Sequence, residues 1–344
     1  MKVSIIGATG YTGAELLRLL GGHPEADIRY ITSESSAGKS IAEVYPHLQA
    51  VQEAKLVSME ALDEVAADSD VLFIALPHGH AMAVGKRLEK TDVKIIDLGA
   101  DYRFKDTAIY EAWYKVPHTH KDAKAVYGLT EWYREDIRGA KIVGNAGCYT
   151  TASIMALAPL VKKGLVELDS LVVDAKSGVS GAGRSLSLNS HFGEMYENLK
   201  AYNVGGHRHT PEIEQALGGL AKTSLVLSFT PHLIPMARGI LSTCYARLKN
   251  GVEAAAVDAA YEEAYAQEYF VRLLGRGGYP ATKAVRGSNF CDLGWHVDLR
   301  TRRVVALSAI DNLVKGAAGQ AVQNMNVLFN LPEKTGLELS PMYP

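Results

Sequence analysis

The chain has 344 residues, 47% of them hydrophobic and 22% charged, with a formal net charge of −2. That length gives one large domain or two ordinary ones able to bury most of their apolar surface, and the near-neutral balance provides no field for nucleic acid or a membrane surface. Three dispersed cysteines, Cys148, Cys244 and Cys291, speak against a disulfide framework and for a reducing, cytoplasmic setting, and no run of about 18 apolar residues offers a membrane span.

The opening Met-Lys-Val-Ser-Ile-Ile-Gly reads as a strand start rather than a signal segment. Lys2–Ile6 is a buried strand, Gly7–Gly13 a glycine turn and Ala14–Leu20 a helix ended by Gly21-Gly22. Strands follow at Ile28–Thr32, Val71–Leu76, Lys94–Leu98 and Lys141–Val143. Short apolar runs separated by helical patterns predict an α/β, doubly wound (Rossmann) parallel sheet over 1–148, with ligands at the carboxyl ends of its strands. After Thr150 the texture changes. Strands at Leu171–Lys176, Ser224–Thr230, Ile240–Leu248 and Val304–Ile310, with a long Gly-, Ser- and His-rich segment at 178–209, predict an α+β catalytic or oligomerisation domain over 149–312. A last helix, Leu313–Leu328, opened by Asp311-Asn312, returns within 313–344 to the first domain.

Gly7-Ala-Thr9-Gly10-Tyr11-Thr12-Gly13 joins the first strand to the first helix. Glycines let backbone approach a pyrophosphate that rests on free helix N–H groups, so Gly7, Thr9, Gly10, Tyr11, Thr12 and Gly13 are cofactor candidates. The spacing is G-x-x-G-x-x-G rather than the usual G-x-G-x-x-G, and a plain strand-to-helix turn is the alternative. The second strand runs into Ser33-Glu34-Ser35-Ser36-Ala-Gly-Lys39. Ser33, Ser35, Ser36 and Lys39 are donors suited to a 2′-phosphate and favour NADP, while Glu34 leaves NAD open. Pro77 and His78, closing strand Val71–Leu76, and Ser177 and Gly178, opening the glycine-rich segment, complete the cofactor candidates.

Ile142-Val-Gly-Asn145-Ala-Gly147-Cys148-Tyr-Thr150 runs from a strand through a small-residue turn into a helical pattern. Cys148 therefore opens a helix, where the dipole and free N–H groups favour thiolate and can hold an oxyanion beside the sulfur. Cys244, inside an apolar strand, reads as a small buried hydrophobe. In Gly205-Gly-His207-Arg208-His209-Thr210-Pro211-Glu212, Thr210 reads as an N-cap and Pro211 as N1, so His209 precedes a helix N-terminus that favours its neutral, proton-accepting form. His207, two residues back, faces the same side of an extended segment. The i, i+2 histidine spacing recurs at His78/His80 and His118/His120, but no accompanying ligand pattern supports a metal.

GATGYTG at 7–13, DLGADYRF at 97–104, NAGCYTT at 145–151, HRHTPEI at 207–213 and DNLVKGAAGQA at 311–321 resemble the N-acetyl-gamma-glutamyl-phosphate reductases of arginine biosynthesis. The motifs span nearly the whole chain, and the cysteine and histidine strings are the specific ones. Aspartate-semialdehyde dehydrogenase shares the wider kinship, and a paralogue acting on a carrier-bound aminoadipyl phosphate stays open. The resemblance implies an acyl-phosphate substrate, a thioester on Cys148, proton transfer by His209 and a homo-oligomer, dimer or tetramer. It offers Asn145, His207, Glu212, Arg103, Arg184 and Arg238 as substrate contacts, guanidinium being suited to phosphate and carboxylate. Asn312 is expected at the nicotinamide amide, a simple N-cap being the alternative. A non-catalytic NADP-sensing protein would need no nucleophile, and Cys148 counts against it.

Overall fold

The computed structural model describes residues 1–49 and 54–343. They form two compact units: Met1–Gly147 with Ala317–Leu339, and Cys148–Gly316 with the described residues from Ser340 on. The divisions therefore fall at Gly147/Cys148 and Gly316/Ala317, and Cys148 opens the second unit.

In the first unit, seven strands pair in the order β3-β2-β1-β4-β5-β7-β6. They are β1 (Lys2–Ile6), β2 (Asp27–Thr32), β3 (Leu56–Val57), β4 (Val71–Ile74), β5 (Lys94–Asp97), β6 (Ala125–Gly128) and β7 (Ile142–Asn145). Every pairing is parallel. β4 is buried throughout and β1 from Val3 on, the burial of a parallel sheet covered on both faces. The strand order reverses between β1 and β4, so the residues after Ile6 and Ile74 flank the crevice where such sheets bind ligands. The first helix, Tyr11–Leu20, starts three residues earlier than the apolar pattern predicts, because Gly10 already takes the extended N-cap conformation.

The final helix, Gly319–Leu328, belongs to this unit and is buried along its whole length. Its polar side chains are paired. Asn324 donates to the Gly128 carbonyl and to Asn145 Oδ1 at 3.0 and 2.9 Å and accepts from Thr130 Oγ1 at 2.7 Å, while Gln320 donates to that hydroxyl at 2.6 Å. A buried polar network of this kind fixes the helix in one register. The helix does not begin at Leu313. A wide π-turn, Val314–Ala318, precedes it, and the last residues from Ser340 rejoin the second unit, where Met342 N–H meets the Arg286 carbonyl at 2.8 Å.

In the second unit the order is β12-β13-β14-β11-β8-β10-β9. The strands are β8 (Val172–Gly178), β9 (Lys200–Ala201), β10 (Ser228–Ile234), β11 (Ile240–Arg247), β12 (Val271–Arg276), β13 (Cys291–Asp298) and β14 (Arg303–Ile310). Only β8–β10 and β12–β13 are parallel. Burial alternates along β10 and β11, and the helix Cys148–Lys162 packs against β11, β14 and β8. β10 was expected at Ser224–Thr230. It runs four residues later, through Pro231, where a proline would normally end a strand. Residues 178–209 hold short 3₁₀ turns, a four-residue helix and β9.

The helix Cys148–Lys162 is the core of this unit, with every residue from Tyr149 to Val161 buried. Pro159 has no N–H to give the Met155 carbonyl four residues back. The Tyr265 hydroxyl donates to that carbonyl at 2.8 Å, and Tyr261 donates to the Ala156 carbonyl at 2.6 Å. The buried helix thus keeps its backbone acceptors satisfied despite the proline.

Candidate active site

Gly7 adopts a φ of +87°, and a methyl there would lie 2.7 Å from the Ala75 carbonyl at the end of β4. A methyl on Gly13 would lie 2.6 Å from Ala8. These glycines close the turn against the sheet and the helix against the turn. Gly10 differs: a methyl there meets nothing within 4 Å, so the helix opens onto clear space. Thr9 and Ser33 bring their hydroxyls to 3.0 Å, and Ser33 is buried at the end of β2. Ser35 and Lys39 are exposed and Ser36 half-buried. Glu34 turns away, accepting the Met59 N–H at 2.7 Å. Tyr11 is partly exposed at the first helical position, with Thr12 beside it.

Beyond β4, Pro77 is exposed and His78 half-buried, its ring edge-on to Tyr114 at 5.1 Å. Buried Asp101 holds this loop, accepting from Gly79 N and Met82 N at 2.8 and 3.1 Å and from the Tyr110 hydroxyl at 2.9 Å. Asp97, at the end of β5, accepts from Gly99 N at 2.8 Å. Burial first, and the charge of Asp101 second, push its carboxyl up to about 7. Arg103 is buried, and it donates to the Asn145 carbonyl at 2.7 Å and the Leu98 carbonyl at 3.1 Å. It braces the ends of β5 and β7. Asn145 accepts from Asn324 and donates to the Ala317 carbonyl at 3.1 Å, so its amide works inside the final-helix network.

Cys148 is the first residue of the fifteen-residue helix in the second unit, and it is half-buried, whereas Cys244 and Cys291 are buried. Burial pushes the Cys244 thiol up to about 12. The ring of Tyr149 lies edge-on to His207 at 5.7 Å and His209 at 6.0 Å between centroids, and the two imidazoles are 4.8 Å apart. The Tyr149 hydroxyl donates to the His232 carbonyl at 2.9 Å, and the Tyr202 hydroxyl donates to that of Tyr149 at 3.3 Å. Thr150 Oγ1 donates to fully buried Glu212 at 2.9 Å, tying the first turn of the cysteine helix to the first turn of the helix Thr210–Ala221. Glu212 is thus a buried brace between the first turns of the two helices.

The two histidines differ. Burial and the charge of Arg208 push His207 down to about 4, leaving it neutral at pH 7. Its Nδ1 accepts the His209 N–H at 3.1 Å, so the ring proton sits on Nε2, a donor. The expected N-cap Thr210 is instead the first helical residue, and His209 itself takes the N-cap position without a side-chain cap.

The remaining expectations lie in the second unit. Arg184 is exposed in the segment after β8. Arg238 pairs with fully buried Asp311 at 3.6 Å. Ser177 is buried at the end of β8 and donates to the Gly178 carbonyl at 3.0 Å. A methyl on Gly178 would lie 2.8 Å from the Ala237 carbonyl, a close approach only glycine permits. Asn312 neither opens the helix nor lies in the first unit. Its Oδ1 accepts from Gly239 N at 2.7 Å and its Nδ2 donates to Ser180 Oγ at 2.9 Å. The capping carboxylate is Asp311, which accepts from Leu313 N and Val314 N at 2.8 and 3.2 Å. Sequence reasoning gave no site role to Tyr149, Thr150 and Tyr202, though Tyr149 and Thr150 stand beside the cysteine, and it gave Asp311 only a place at the start of the last helix. Among the described residues no group of three His, Cys, Asp or Glu side chains is placed to hold a metal ion.

Residues 2–140 match the family model for the semialdehyde dehydrogenase NAD binding domain, and 148–312 that for the semialdehyde dehydrogenase dimerisation domain. The N-acetyl-gamma-glutamyl-phosphate reductase of Pelotomaculum thermopropionicum is 54% identical over 100% of this chain and 99% of its own. That of Desulforamulus reducens is 53% identical over 100% of both. The chain belongs to the N-acetyl-gamma-glutamyl-phosphate reductase family. The fold extends further. Aspartate semialdehyde dehydrogenase II of Vibrio cholerae superposes with a TM-score of 0.72 at 18% identity, covering 96% of this chain and 98% of that one. The aspartate semialdehyde dehydrogenase of Candida albicans, solved with NADP, gives 0.72 at 17% identity, covering 95% and 98%. Among the described residues no helix is long and apolar enough to cross a membrane.

Proposed function

We propose that the protein reduces N-acetyl-gamma-glutamyl phosphate to N-acetylglutamate 5-semialdehyde and phosphate with NADPH, in arginine biosynthesis. The observation that carries this is Cys148 at the head of a long buried helix with both imidazoles gathered on the adjoining Tyr149, in a chain more than half identical to reductases of that name.

The residues of the first unit suit NADP. Gly10 leaves the helix N-terminus open to a pyrophosphate, and Ser33, Ser35, Ser36 and Lys39 cluster as donors after β2. Glu34, the residue that would favour NAD, is engaged with Met59. When bound, the reduced nicotinamide supplies the hydride.

Cys148 Sγ attacks the acyl carbon, the carbon–oxygen bond to phosphate breaks and phosphate leaves, producing a thioester. The N–H groups at the helix start favour thiolate and hold the developing oxyanion. After reduction the carbon–sulfur bond breaks, the aldehyde departs and Cys148 recovers its thiolate. His209 gives and takes the proton on the reacting oxygen, and neutral His207 donates from Nε2 to a substrate oxygen. Glu212, through Thr150, holds the two first turns in register. Arg103 supports the strand ends that lead to the cysteine, and Arg184 is the candidate for the substrate's anionic groups.

We place the enzyme in the cytoplasm, where free thiols persist. It forms a homo-oligomer through the second unit, whose family model is described as a dimerisation domain. The reverse reaction tests the substrate. With NADP, inorganic phosphate and N-acetylglutamate semialdehyde, NADPH absorbance should rise, whereas aspartate semialdehyde should give little. Preference for aspartate semialdehyde would overturn the assignment.

A further inference from the structure

We infer that the segment Asp311–Gly316 is the seat of the Cys148 side chain, with Gly316 as its positioning residue and Asp311 as the group that fixes the segment. The inference rests on Cys148 being the acyl-carrying nucleophile.

A methyl built on Gly316 would lie 2.8 Å from Cys148 Cβ, 3.1 Å from Cys148 Cα and 3.3 Å from Ile310 Cδ1. Ordinary contact begins at 3.4 Å, so even one added carbon demands several tenths of an ångström from these neighbours. The two nearest atoms belong to the Cys148 backbone and its first side-chain carbon, and the third, the terminal methyl of Ile310, is packed in the core. Cys148 Cα and Cβ are fixed by the buried helix that follows, and Ile310 is fully buried at the end of β14. A bare Cα at 316 is what lets the nucleophile's backbone sit where it does.

The segment cannot retreat either. Asp311 is fully buried and uses both carboxylate oxygens. Oδ1 accepts from Leu313 N and Val314 N, and Oδ2 accepts from Gly287 N at 2.8 Å with the Arg238 guanidinium 3.6 Å away. Its carbonyl accepts the Gly316 N–H at 3.0 Å, a five-residue span wider than a helical turn. Lys315 is also fully buried, its ammonium 5.9 Å from the Phe270 ring centre. The internal bonds fix the segment's own shape, and the Gly287, Arg238 and Phe270 contacts pin it to three other parts of the second unit. Strain from a larger residue at 316 therefore passes to Cys148, and a displaced nucleophile loses rate steeply, by about 10²-fold for roughly 1 Å.

The test uses the full-length enzyme and reads the thiol without substrate. Gly316→Ala should slow iodoacetamide alkylation of Cys148, mapped by mass spectrometry, by about tenfold, and lower kcat about 10- to 100-fold, with NADP affinity close to wild type and Tm lowered by only several degrees, so that the protein stays folded at assay temperature. If Gly316→Ala does not fold, Asp311→Asn takes its place. It loses the Arg238 pair and one acceptor, and should shift alkylation and kcat in the same direction by about tenfold. Wild-type alkylation and kcat in whichever variant folds would overturn the inference. So would a fall in kcat accompanied by an equal fall in the folded fraction. Full turnover in Cys148→Ser would instead strike at the functional reading itself, so the two failures are separable.

Discussion

The molecule contains two strand-to-helix turns of the same outline, and the proposed reaction gives them different chemistry. After β1, the turn closes on Gly7 and Gly13 and the helix Tyr11–Leu20 begins with clear space at Gly10. After β7, Ala146-Gly147 leads into the helix Cys148–Lys162, which begins with a thiol. Both helix starts present N–H groups and the positive end of a dipole. What differs is the first residue and the burial behind it. The first helix keeps exposed and half-exposed positions and offers its bare end to a phosphate group. The second is core from Tyr149 to Val161 and begins with a half-buried thiol, the nucleophile of the proposed reaction. A helix N-terminus is thus a general anion site, and the side chain at its head decides whether it binds or reacts.

The largest effect should come from the second turn. Cys148→Ser should reduce turnover by about four orders of magnitude or more while NADP still quenches or shifts protein fluorescence as in wild type. Loss of NADP binding in that variant would mean that the two turns are not separable in function. Next is the proton carrier. His209→Asn should cost about 10² to 10⁴ in kcat, and His207→Asn less, because His207 is neutral and acts as a donor. The reverse ranking in steady-state kinetics would exchange their roles.

The first turn should respond more mildly. Gly10→Ala meets no protein atom, so Tm should not change, but calorimetry should show NADP binding weakened by about tenfold as the methyl crowds the pyrophosphate. Unaltered affinity would remove this turn from the cofactor site.

The smallest effect concerns stability alone. Asp97 titrates near 7 in the folded protein, against an ordinary value of 3.8. Below the ordinary value both states are protonated. Between about 4 and about 7 only the unfolded chain gives up its proton, so the contribution of neutral Asp97 is lost as pH rises through about 7. Asp97→Asn lacks this dependence. Between pH 5 and 8 the wild-type Tm should therefore fall by several degrees relative to the variant in thermal scans, and parallel curves would mean Asp97 is ionised when buried.

Much of this was legible in the sequence for physical reasons. β4 is an unbroken apolar run, β1 and β5 are short Ile-centred ones, and the small-residue turn before Cys148 announces a helix start. β6 and β12 lie at sheet edges, and β13 carries Asp292, Gly294 and His296, which break the apolar signal. β10 lies four residues beyond the run Ser224–Thr230 because it continues through Pro231, a residue rare inside strands. In the site, residue types pointed to Cys148 and the histidines, but not to what each polar side chain would meet. Asn145 and Glu212 look like substrate contacts in a string of letters, yet their partners, Asn324 and Thr150, come from another element. Asp311 takes the capping part offered for Asn312, because two adjacent acceptors in a sequence do not reveal which turns back onto its own backbone.

The proline inside the cysteine helix, its orphaned acceptor filled by Tyr265, bears on how such an enzyme could be re-engineered. A helix whose spare acceptor is already filled by a tyrosine from another element has no slack for repacking, and a change along it would reach the thiol at its head. Altered acyl-group preference is therefore best sought by varying the exposed residues 185–189, leaving Arg184 in place, rather than the helix headed by Cys148. Catalyst and specificity would then evolve on separate parts of the chain, one frozen and the other open to drift.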